Sequence, residues 1–321
     1  MVTTISGAQV RVPLQVKRIA EQFPAHTATD IMLGVGDKLV AIPPNVKTLP
    51  FLKKVFPGIV SVPELFQNGG GVNMEELLQA KPDVVSAIDG GTVLAPFQAA
   101  GLPAVDMYFP NLSQLTQSIT LAGQVYGGMA AKIAQQYNDY FDANVKLIES
   151  RLANLPDSQR PSVLHIRNFP PLTINSGTSI VGQWIRIAGG NDVASGVNGT
   201  TITAEQVLKW NPDVLIIQAP GGDQGKAANS AESVRQALSA LPGWNNLKAV
   251  KNNRVYFNPQ GLYPWEQYGP EEALQILWAA QTLHPDLFKD IDMRAKAHDF
   301  YKTFFRYDVS DAEVDEIFQK Q

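Results

Sequence analysis

His165 and Arg167 are two residues whose types and spacing suggest that this chain binds an anion. They lie two positions apart at the end of an apolar run that begins at Val163, so both side chains leave a predicted strand on the same side. An imidazole N–H group and a guanidinium can both donate hydrogen bonds to an oxyanion or to a chelate carboxylate. The alternative is that His165 is a hydrogen-bonded interior histidine and Arg167 a surface ion-pair partner.

Two loops rich in small hydrogen-bond donors provide a second group of candidate residues. Ser176 and Thr178 precede one predicted helix, and Gly91 and Thr92 precede another. Free backbone N–H groups at a helix start, together with hydroxyl groups, suit the binding of an oxyanion. Ordinary helix capping explains the same residues equally well.

Three aromatic residues, Tyr108, Tyr263 and Trp265, lie at predicted strand ends or in loops. They could line a pocket for an organic chelate, or donate O–H and N–H groups to an oxyanion. Aromatic residues in loops also often pack between structural units, and that interpretation stays open.

The sequence lacks the motifs of the common enzyme classes. It has no Gly-x-Ser-x-Gly, no phosphate-binding Gly-x-x-x-x-Gly-Lys-Ser/Thr and no His-Glu-x-x-His. The chain has 0 cysteines, and its 4 histidines are not at metal-ligand spacing. Its net charge is -4 without long like-charge blocks, which argues against nucleic-acid binding. We therefore expect no catalytic residues, no resident metal and no cofactor, with an α/β enzyme as the alternative from another class.

An internal repeat indicates the elements that position these residues. Residues 73–85 match residues 203–215 at an offset of 130, each segment combining a helix N-cap residue, a glutamate, a Pro-Asp pair and an apolar run. Such a run is typical of a strand buried on both faces of a parallel sheet. A chain of 321 residues suits two domains of roughly 150 residues each. The repeat thus predicts two similar α/β lobes, whose ligands would bind beyond the carboxyl ends of the strands.

One long amphipathic helix is predicted between the lobes, over residues 129–155. Its apolar residues recur three and four positions apart, and at about 1.5 Å per residue it would span roughly 40 Å. The predicted organisation is therefore an N-terminal α/β lobe at 1–128, the connecting helix, and a C-terminal α/β lobe with C-terminal helices at 156–321.

These features together resemble the helix-linked (class III) substrate-binding proteins of bacterial ABC importers. Members of that family bind ferric siderophores, haem, cobalamin, and molybdate or tungstate. The matching segments follow one another in order along nearly the whole chain: 12–19, 69–75, the two Pro-Asp strands, 182–194, 249–256 and 278–286. Within the family, the chain length and the segment at 263–265 are most similar to the molybdate/tungstate-binding type.

The resemblance implies a fold of two Rossmann-like lobes with mainly parallel sheets, joined by the long helix, with a ligand cleft between the lobes. It also implies an ABC permease with its ATPase subunits as partners, and an exported, periplasmic monomer whose signal segment is absent from this sequence. In the family one glutamate on each lobe docks onto the permease, which places the docking residues at Glu75 and Glu205 here. The alternative is that both are favourable first-turn helix residues.

The number of cationic side chains in the candidate loops allows us to rank the ligands that members of the family bind. A ferric catecholate would need several converging cations, and the loops supply only Arg167. A tetrahedral dianion needs several neutral donors and few cations, so molybdate or tungstate ranks first. A ferric siderophore ranks second, haem or cobalamin third, and a metal-responsive interaction protein without transport is a further alternative.

Overall fold

A computed structural model describes the chain over residues 1–67, 71–88, 93–109, 111–175, 177–197, 199–218 and 231–319. The chain divides into two compact units. Unit 1 comprises Met1–Phe141, Tyr268–Pro270 and Phe300–Tyr307, and unit 2 comprises Asp142–Gln267, Glu271–Asp299 and Asp308–Gln321. Both units combine helices with largely parallel sheets, so the predicted α/β class is confirmed. The lobe limits at 128 and 156 stay predictions.

Unit 1 is built around a parallel sheet. Its described strands are β1 (Val2–Thr3), β2 (Gln9–Val10), β3 (Ile19–Glu21), β4 (Leu39–Ala41), β5 (Val84–Ala87) and β6 (Ala104–Asp106). Four of them form the sheet in the order β4-β3-β5-β6, with every pair parallel, while β1 and β2 form an antiparallel pair. The strand β5 is buried along its whole length, as its apolar sequence predicts.

The described helices beside the sheet of unit 1 include α1 (Pro24–Met32), α2 (Pro50–Val55), α3 (Met74–Ala80), α4 (Ala95–Ala99) and α5 (Leu115–Tyr126). One core cluster joins Val85 of the sheet to Leu77 of α3 and Phe97 of α4. The helix α1 is unusual because all nine of its residues are buried, including His26 and Asp30.

The predicted long helix is present as α6 (Gly128–Leu152). It begins after Gly127, which has a φ of 69° that favours glycine. Within unit 1 the Tyr137 hydroxyl donates to the Pro270 carbonyl at 2.8 Å, and within unit 2 the Asn144 amide donates to the Ala273 carbonyl at 2.8 Å. No described helix combines the length and apolar composition that crossing a membrane requires.

Unit 2 contains a mixed sheet. Its described strands are β7 (Ser162–Asn168), β8 (Thr173–Ile174), β9 (Asn191–Asp192), β10 (Val214–Ile217) and β11 (Val255–Phe257). The main order is β11-β10-β7-β8, in which only the β7–β8 pair is antiparallel, and β9 pairs with β7 in parallel. Its further helices are α7 (Ile180–Ile187), α8 (Ala204–Trp210), α9 (Ala231–Ser239), α10 (Lys248–Lys251) and α11 (Glu272–Leu283). The chain ends with α12 (Met293–Phe305), whose last residues from Phe300 belong to unit 1, and α13 (Asp311–Ile317) of unit 2.

The sequence repeat has the same local structure in both units. Asn73 and Thr203 cap α3 and α8 by accepting a backbone N–H three residues on, at 3.3 and 3.2 Å. Both helices end at a left-handed residue, Lys81 at φ 45° and Asn211 at φ 44°. The repeat therefore reflects two copies of one helix–strand unit.

The aspartate of each Pro-Asp pair accepts hydrogen bonds from residues at or just before the start of the neighbouring strand in its sheet. Asp83 Oδ2 accepts the N–H groups of Lys17 and Arg18, at 2.7 and 3.0 Å. Asp213 Oδ2 accepts the N–H group and the hydroxyl of Ser162, at 2.9 and 2.7 Å. The two carboxylates thus have equivalent structural roles, one in each unit.

Candidate functional site

The strand β7 places His165 and Arg167 near the carboxyl edge of the unit 2 sheet. His165 pairs in register with Ile216 of β10, and the Gln218 N–H that follows β10 donates to the Ile166 carbonyl at 2.8 Å. Because strand residues alternate between faces, Ile166 enters the apolar core on one face while His165 lies on the other. Only 3% of His165 is exposed, whereas Arg167 is half-buried.

His165 is held as a neutral hydrogen-bond donor. Its Nδ1 atom lies 3.2 Å from the amide Nδ2 atom of Asn175. An amide nitrogen only donates, so Nδ1 accepts and the ring hydrogen resides on Nε2. Burial, and to a lesser degree the charge of Arg167, lowers the pKa of His165 to about 3. The ring is therefore uncharged at neutral pH, and its buried Nε2 has no hydrogen-bond partner within the protein.

Trp184 of α7 adds a second buried donor beside His165. The two rings meet edge to face with centroids 5.9 Å apart and planes at 85°. Trp184 is fully buried, and its Nε1 also has no hydrogen-bond partner within the protein. An indole N–H can only donate, so His165 and Trp184 both offer donors that lack an acceptor.

The start of α7 contributes a hydroxyl. Ser179 is the N-cap residue of this helix, yet its side chain makes no capping hydrogen bond, and its buried Oγ has no partner within the protein. Gly177, two residues earlier, comes so close to Ser195 that a Cβ atom there would lie 2.1 Å from the Ser195 Cα atom. This glycine is therefore required for the path that brings the 177–179 segment to the helix start.

Two predicted residues lie in this loop, and Gln218 follows the neighbouring strand β10. Thr178 is exposed, and Ser176 lies outside the described residues. Gln218 is 7% exposed, and its buried Oε1 has no partner within the protein. The carboxyl edge of β7 and β10 thus holds an amide oxygen in addition to the donors.

Tyr108 is the one predicted candidate of unit 1 that lies within the described residues, and it follows the strand β6. Tyr108 is half-buried, and its N–H donates to Asp106 Oδ1 at 2.9 Å. Gly91 and Thr92 lie outside the described residues. The ligand roles of all three remain predictions.

Tyr263 and Trp265 lie in the interior of unit 2. They are 2% and 0% exposed, and Trp265 meets Phe318 edge to face at 5.4 Å. The Glu271 carboxylate accepts the N–H groups of Leu262 and Tyr263, at 2.7 and 3.1 Å. These contacts give both aromatic residues a packing role within their own unit, and a ligand role for them is still only a prediction.

Glu75 and Glu205 are both exposed, at the second residue of α3 and of α8. A hydrogen bond from its own backbone, and then one from Thr203, lowers the pKa of Glu205. Both carboxylates are therefore available to a partner, at equivalent positions of the repeat.

The Trp184 donor was missed by the sequence analysis, because only the loop before this predicted helix was considered. Among the described residues, no group of three or more histidines, aspartates and glutamates could hold a metal ion. The arrangement suits hydrogen bonding to an acceptor-rich solute.

The chain is similar to known solute-binding proteins. The family described as "Periplasmic binding protein" matches residues 19–262. The molybdate-binding protein MolA of Haemophilus influenzae is 27% identical over 266 residues, which cover 73% of this chain and 70% of MolA. A molybdate-bound structure of MolA, described as the cognate binding protein of an ABC transporter, has a TM-score of 0.80 at 22% identity and covers 96% of this chain and 98% of its own.

Two further proteins are similar to this chain in sequence or in structure. IsdE of Staphylococcus aureus, a protein of a high-affinity heme uptake system, is 27% identical over 68% of this chain and 71% of its own. A periplasmic solute-binding protein from Veillonella parvula has a TM-score of 0.85 at 28% identity, and the match covers 99% of this chain and 96% of that protein. The chain belongs to the periplasmic binding protein family and is a substrate-binding protein of an ABC importer.

Proposed function

We propose that this protein binds a tetrahedral oxyanion, molybdate or tungstate, and delivers it unchanged to the permease of its ABC importer. The observation that carries the proposal is the pair of donors at His165 Nε2 and Trp184 Nε1, both buried and both without an acceptor within the protein. A buried donor without an acceptor is costly, because it has lost its hydrogen bonds to water. An oxyanion would supply the acceptors.

The charge of these donors also favours an oxyanion. His165 is neutral at neutral pH because burial lowers its pKa to about 3, and an indole N–H carries no charge. Neutral donors arranged in a low-dielectric site stabilise a dianion and select its geometry without a fixed counter-charge. Arg167 is the one cation among the predicted site residues. The similarity to MolA, whose name describes molybdate binding, supports the same ligand class.

Haem or a ferric siderophore is the second candidate, favoured by the similarity to IsdE. The described residues at the edge of β7 include a histidine that could approach an iron, but its Nδ1 is engaged by Asn175. His165 also lies in the interior, at 3% exposure, which suits a compact ligand better than a macrocycle.

The proposed delivery step uses Glu75 and Glu205. Both are exposed, and both occupy the same position of a repeated helix, so they could engage two equivalent basic sites on a permease. We propose that the protein acts as an exported monomer that supplies a permease driven by ATPase subunits, and that it has no resident cofactor.

Elemental analysis and calorimetry test the ligand. Purified protein is assayed for Mo, W, Fe, Co and Ni, and is then titrated with molybdate, tungstate, sulfate, haem and a ferric siderophore. We expect saturable binding of molybdate and tungstate at one site per chain. Binding of haem or the siderophore without binding of either oxyanion would exclude the first candidate, and turnover of any substrate would exclude a purely transporting role.

A further inference from the structure

Unit 1 contains a buried pair of carboxyl groups, Glu21 and Asp30, that are not among the predicted ligand residues. Glu21 ends β3 and is 0% exposed, and Asp30 lies on α1 and is 1% exposed. The Glu21 Oε1 atom accepts the Phe23 N–H at 2.8 Å, whereas Glu21 Oε2 and Asp30 Oδ2 have no hydrogen-bond partner within the protein. Neither carboxyl is paired with a lysine or an arginine of the described residues.

A small cavity joins Asp30 to a group of hydroxyl-bearing side chains. Its volume is about 10 Å³, which suits one water-sized molecule, and Asp30, Ser86 and Tyr126 are among the residues that line it. The hydroxyls of Ser86 and Tyr126 are buried and make no well-formed hydrogen bond, but Ser86 is near enough to Glu21, and Tyr126 to Asp30, to lower the pKa of each carboxyl. The rings of Phe109 and Tyr268, with centroids 5.3 Å apart, also line the cavity.

The other titratable and charged groups around the pair supply no counter-charge. His26 Nδ1 lies 4.0 Å from Glu21 Oε1, but burial lowers the pKa of His26 to about 4, so it is neutral at neutral pH. Arg306 donates instead to the carbonyls of Ile31 and Met32, at 2.6 and 2.9 Å. The other titratable groups that line the cavity are the phenols of Tyr126 on α5 and of Tyr268, and neither carries a positive charge.

A buried carboxylate without a counter-charge is strongly disfavoured, and the two carboxyls also repel each other when both are charged. Burial raises the pKa of Asp30 to about 8, although the nearby Tyr126 hydroxyl lowers it. Burial, and then the charge of Asp30, raises the pKa of Glu21 well above its ordinary value.

We propose that Glu21 and Asp30 keep their protons in the folded protein at neutral pH, as a carboxylic acid pair that makes unit 1 a proton-binding site and its stability sensitive to alkaline pH. The direction of this pH effect follows from the coupling between proton binding and folding. A group that binds its proton more tightly when folded stabilises the fold below its unfolded pKa, and that contribution is lost as the pH rises through the folded pKa. For Asp30 the window runs from 3.8 to about 8.

Protonation of His26 changes the stability of the fold in the opposite direction and over a different pH range. Its pKa is lowered from 6.5 to about 4, so its contribution is lost as the pH falls through that range. Measurements between pH 7 and pH 9 therefore report the carboxyl pair with little interference from His26.

Unfolding experiments on the full chain test the proposal. The variants are Asp30→Asn and the double variant Glu21→Gln, Asp30→Asn, with Asp37→Asn as a control that removes an exposed carboxyl of the same unit. We expect the unfolding midpoint of the wild type and of the control to be lower at pH 9 than at pH 7. In the double variant this decrease should be absent. At pH 7 the wild type should release about one proton more than Asp30→Asn on unfolding. If the unfolding midpoint changed equally with pH in the wild type and in Asp30→Asn, the proposal would be overturned.

Two further measurements keep the proposal testable if the variants do not fold. Infrared spectra of the wild type at neutral pH should contain the carbonyl band of a protonated, buried carboxyl group, and absence of that band would overturn the proposal. At pH 9, sodium chloride should stabilise the wild type no more than choline chloride does. A stabilisation specific to sodium would instead identify the pair as ionised ligands of a bound cation.

Discussion

The Nδ1 atom of His165 lies 3.2 Å from the Nδ2 atom of Asn175, at the carboxyl edge of the unit 2 sheet. This contact fixes the tautomer of the ring, because the amide nitrogen can only donate, and it leaves the hydrogen on Nε2. Burial keeps the ring uncharged. The consequence is a neutral N–H group held in a fixed direction, beside the equally unpartnered indole N–H of Trp184.

Replacing His165 by phenylalanine should weaken oxyanion binding while leaving the fold intact. The change keeps a flat aromatic ring but removes the Nε2 donor, so we expect the binding free energy of molybdate to fall by about 1–3 kcal/mol. Calorimetric titration measures the loss. His298→Gln, which alters a partly exposed histidine of the same unit, serves as the control and should bind like the wild type. Unchanged affinity in His165→Phe would remove this residue from the site.

The affinity for the oxyanion should not depend on a histidine charge. The pKa of His165 is lowered from 6.5 to about 3, so the ring stays neutral from about pH 5.5 to about pH 8. We expect the molybdate affinity of the wild type to be nearly constant over that range. A loss of affinity as the pH rises through 6.5, absent in His165→Phe, would show that a charged imidazolium binds the ligand instead.

The lowered pKa of His165 also makes the free energy of unfolding depend on pH. In the unfolded chain His165 gains a proton below about 6.5, which the folded protein does not bind until about 3. Its contribution to the free energy of unfolding is therefore lost as the pH falls through this window. Stability curves measured from pH 7 to pH 4 should be flatter for His165→Phe than for the wild type, and parallel curves would contradict the lowered pKa.

Loss of the two exposed glutamates should impair uptake and spare binding. We expect a Glu75→Ala, Glu205→Ala double variant to bind molybdate like the wild type, because neither side chain lies at the carboxyl edge of a sheet. Transport should drop in cells that contain the cognate permease and this variant as their only binding protein. Glu76→Ala, at the neighbouring exposed position, is the matched control. Wild-type uptake by the double variant would rule out the docking role.

The aspartate of the second Pro-Asp pair should stabilise unit 2. Asp213→Ala removes two hydrogen bonds to Ser162 from a partly exposed carboxylate, so we expect a loss of about 1–2 kcal/mol in the free energy of unfolding. Burial opposes the charged form, but the bonds from Ser162 and the charge of Lys248 outweigh it and lower the pKa of Asp213.

This contribution is present above the ordinary pKa of 3.8 and is lost as the pH falls through the lower folded value. The difference between Asp213→Ala and the wild type in denaturant titrations should therefore shrink on acidification. Asp142→Ala, at an exposed position of α6, should cost much less. Equal losses in the two variants would indicate that the hydrogen bonds of Asp213 do not matter.

The fold was largely predictable because its signals are local. The capping residues Asn73 and Thr203, the Pro-Asp pairs and the apolar runs after them each act within a few residues of sequence, and both copies formed the predicted helix and strand. The helix predicted over 129–155 is observed as Gly128–Leu152, since its apolar spacing and the glycines before it define it locally.

The candidate site was only partly predictable because burial depends on tertiary packing. The strand pattern placed His165 correctly at the sheet edge, but nothing local indicates that Trp184 comes to lie against it. Tyr263 and Trp265 were predicted as loop aromatics that either line a pocket or pack between structural units, and their burial in unit 2 depends on tertiary contacts such as the one between Trp265 and Phe318. The acidic pair of Glu21 and Asp30 was also missed, since an aspartate in a short helix is normally exposed.

The most direct test of oxyanion binding by unit 2 is the indole N–H spectrum of the protein as molybdate is added. The chain has 5 tryptophans, and a Trp184→Phe variant assigns the one resonance that matters. Hydrogen bonding of Nε1 to an oxyanion should shift the Trp184 resonance saturably, with the same affinity that calorimetry gives. A Trp184 resonance that stays in place at saturating molybdate would contradict the proposed site.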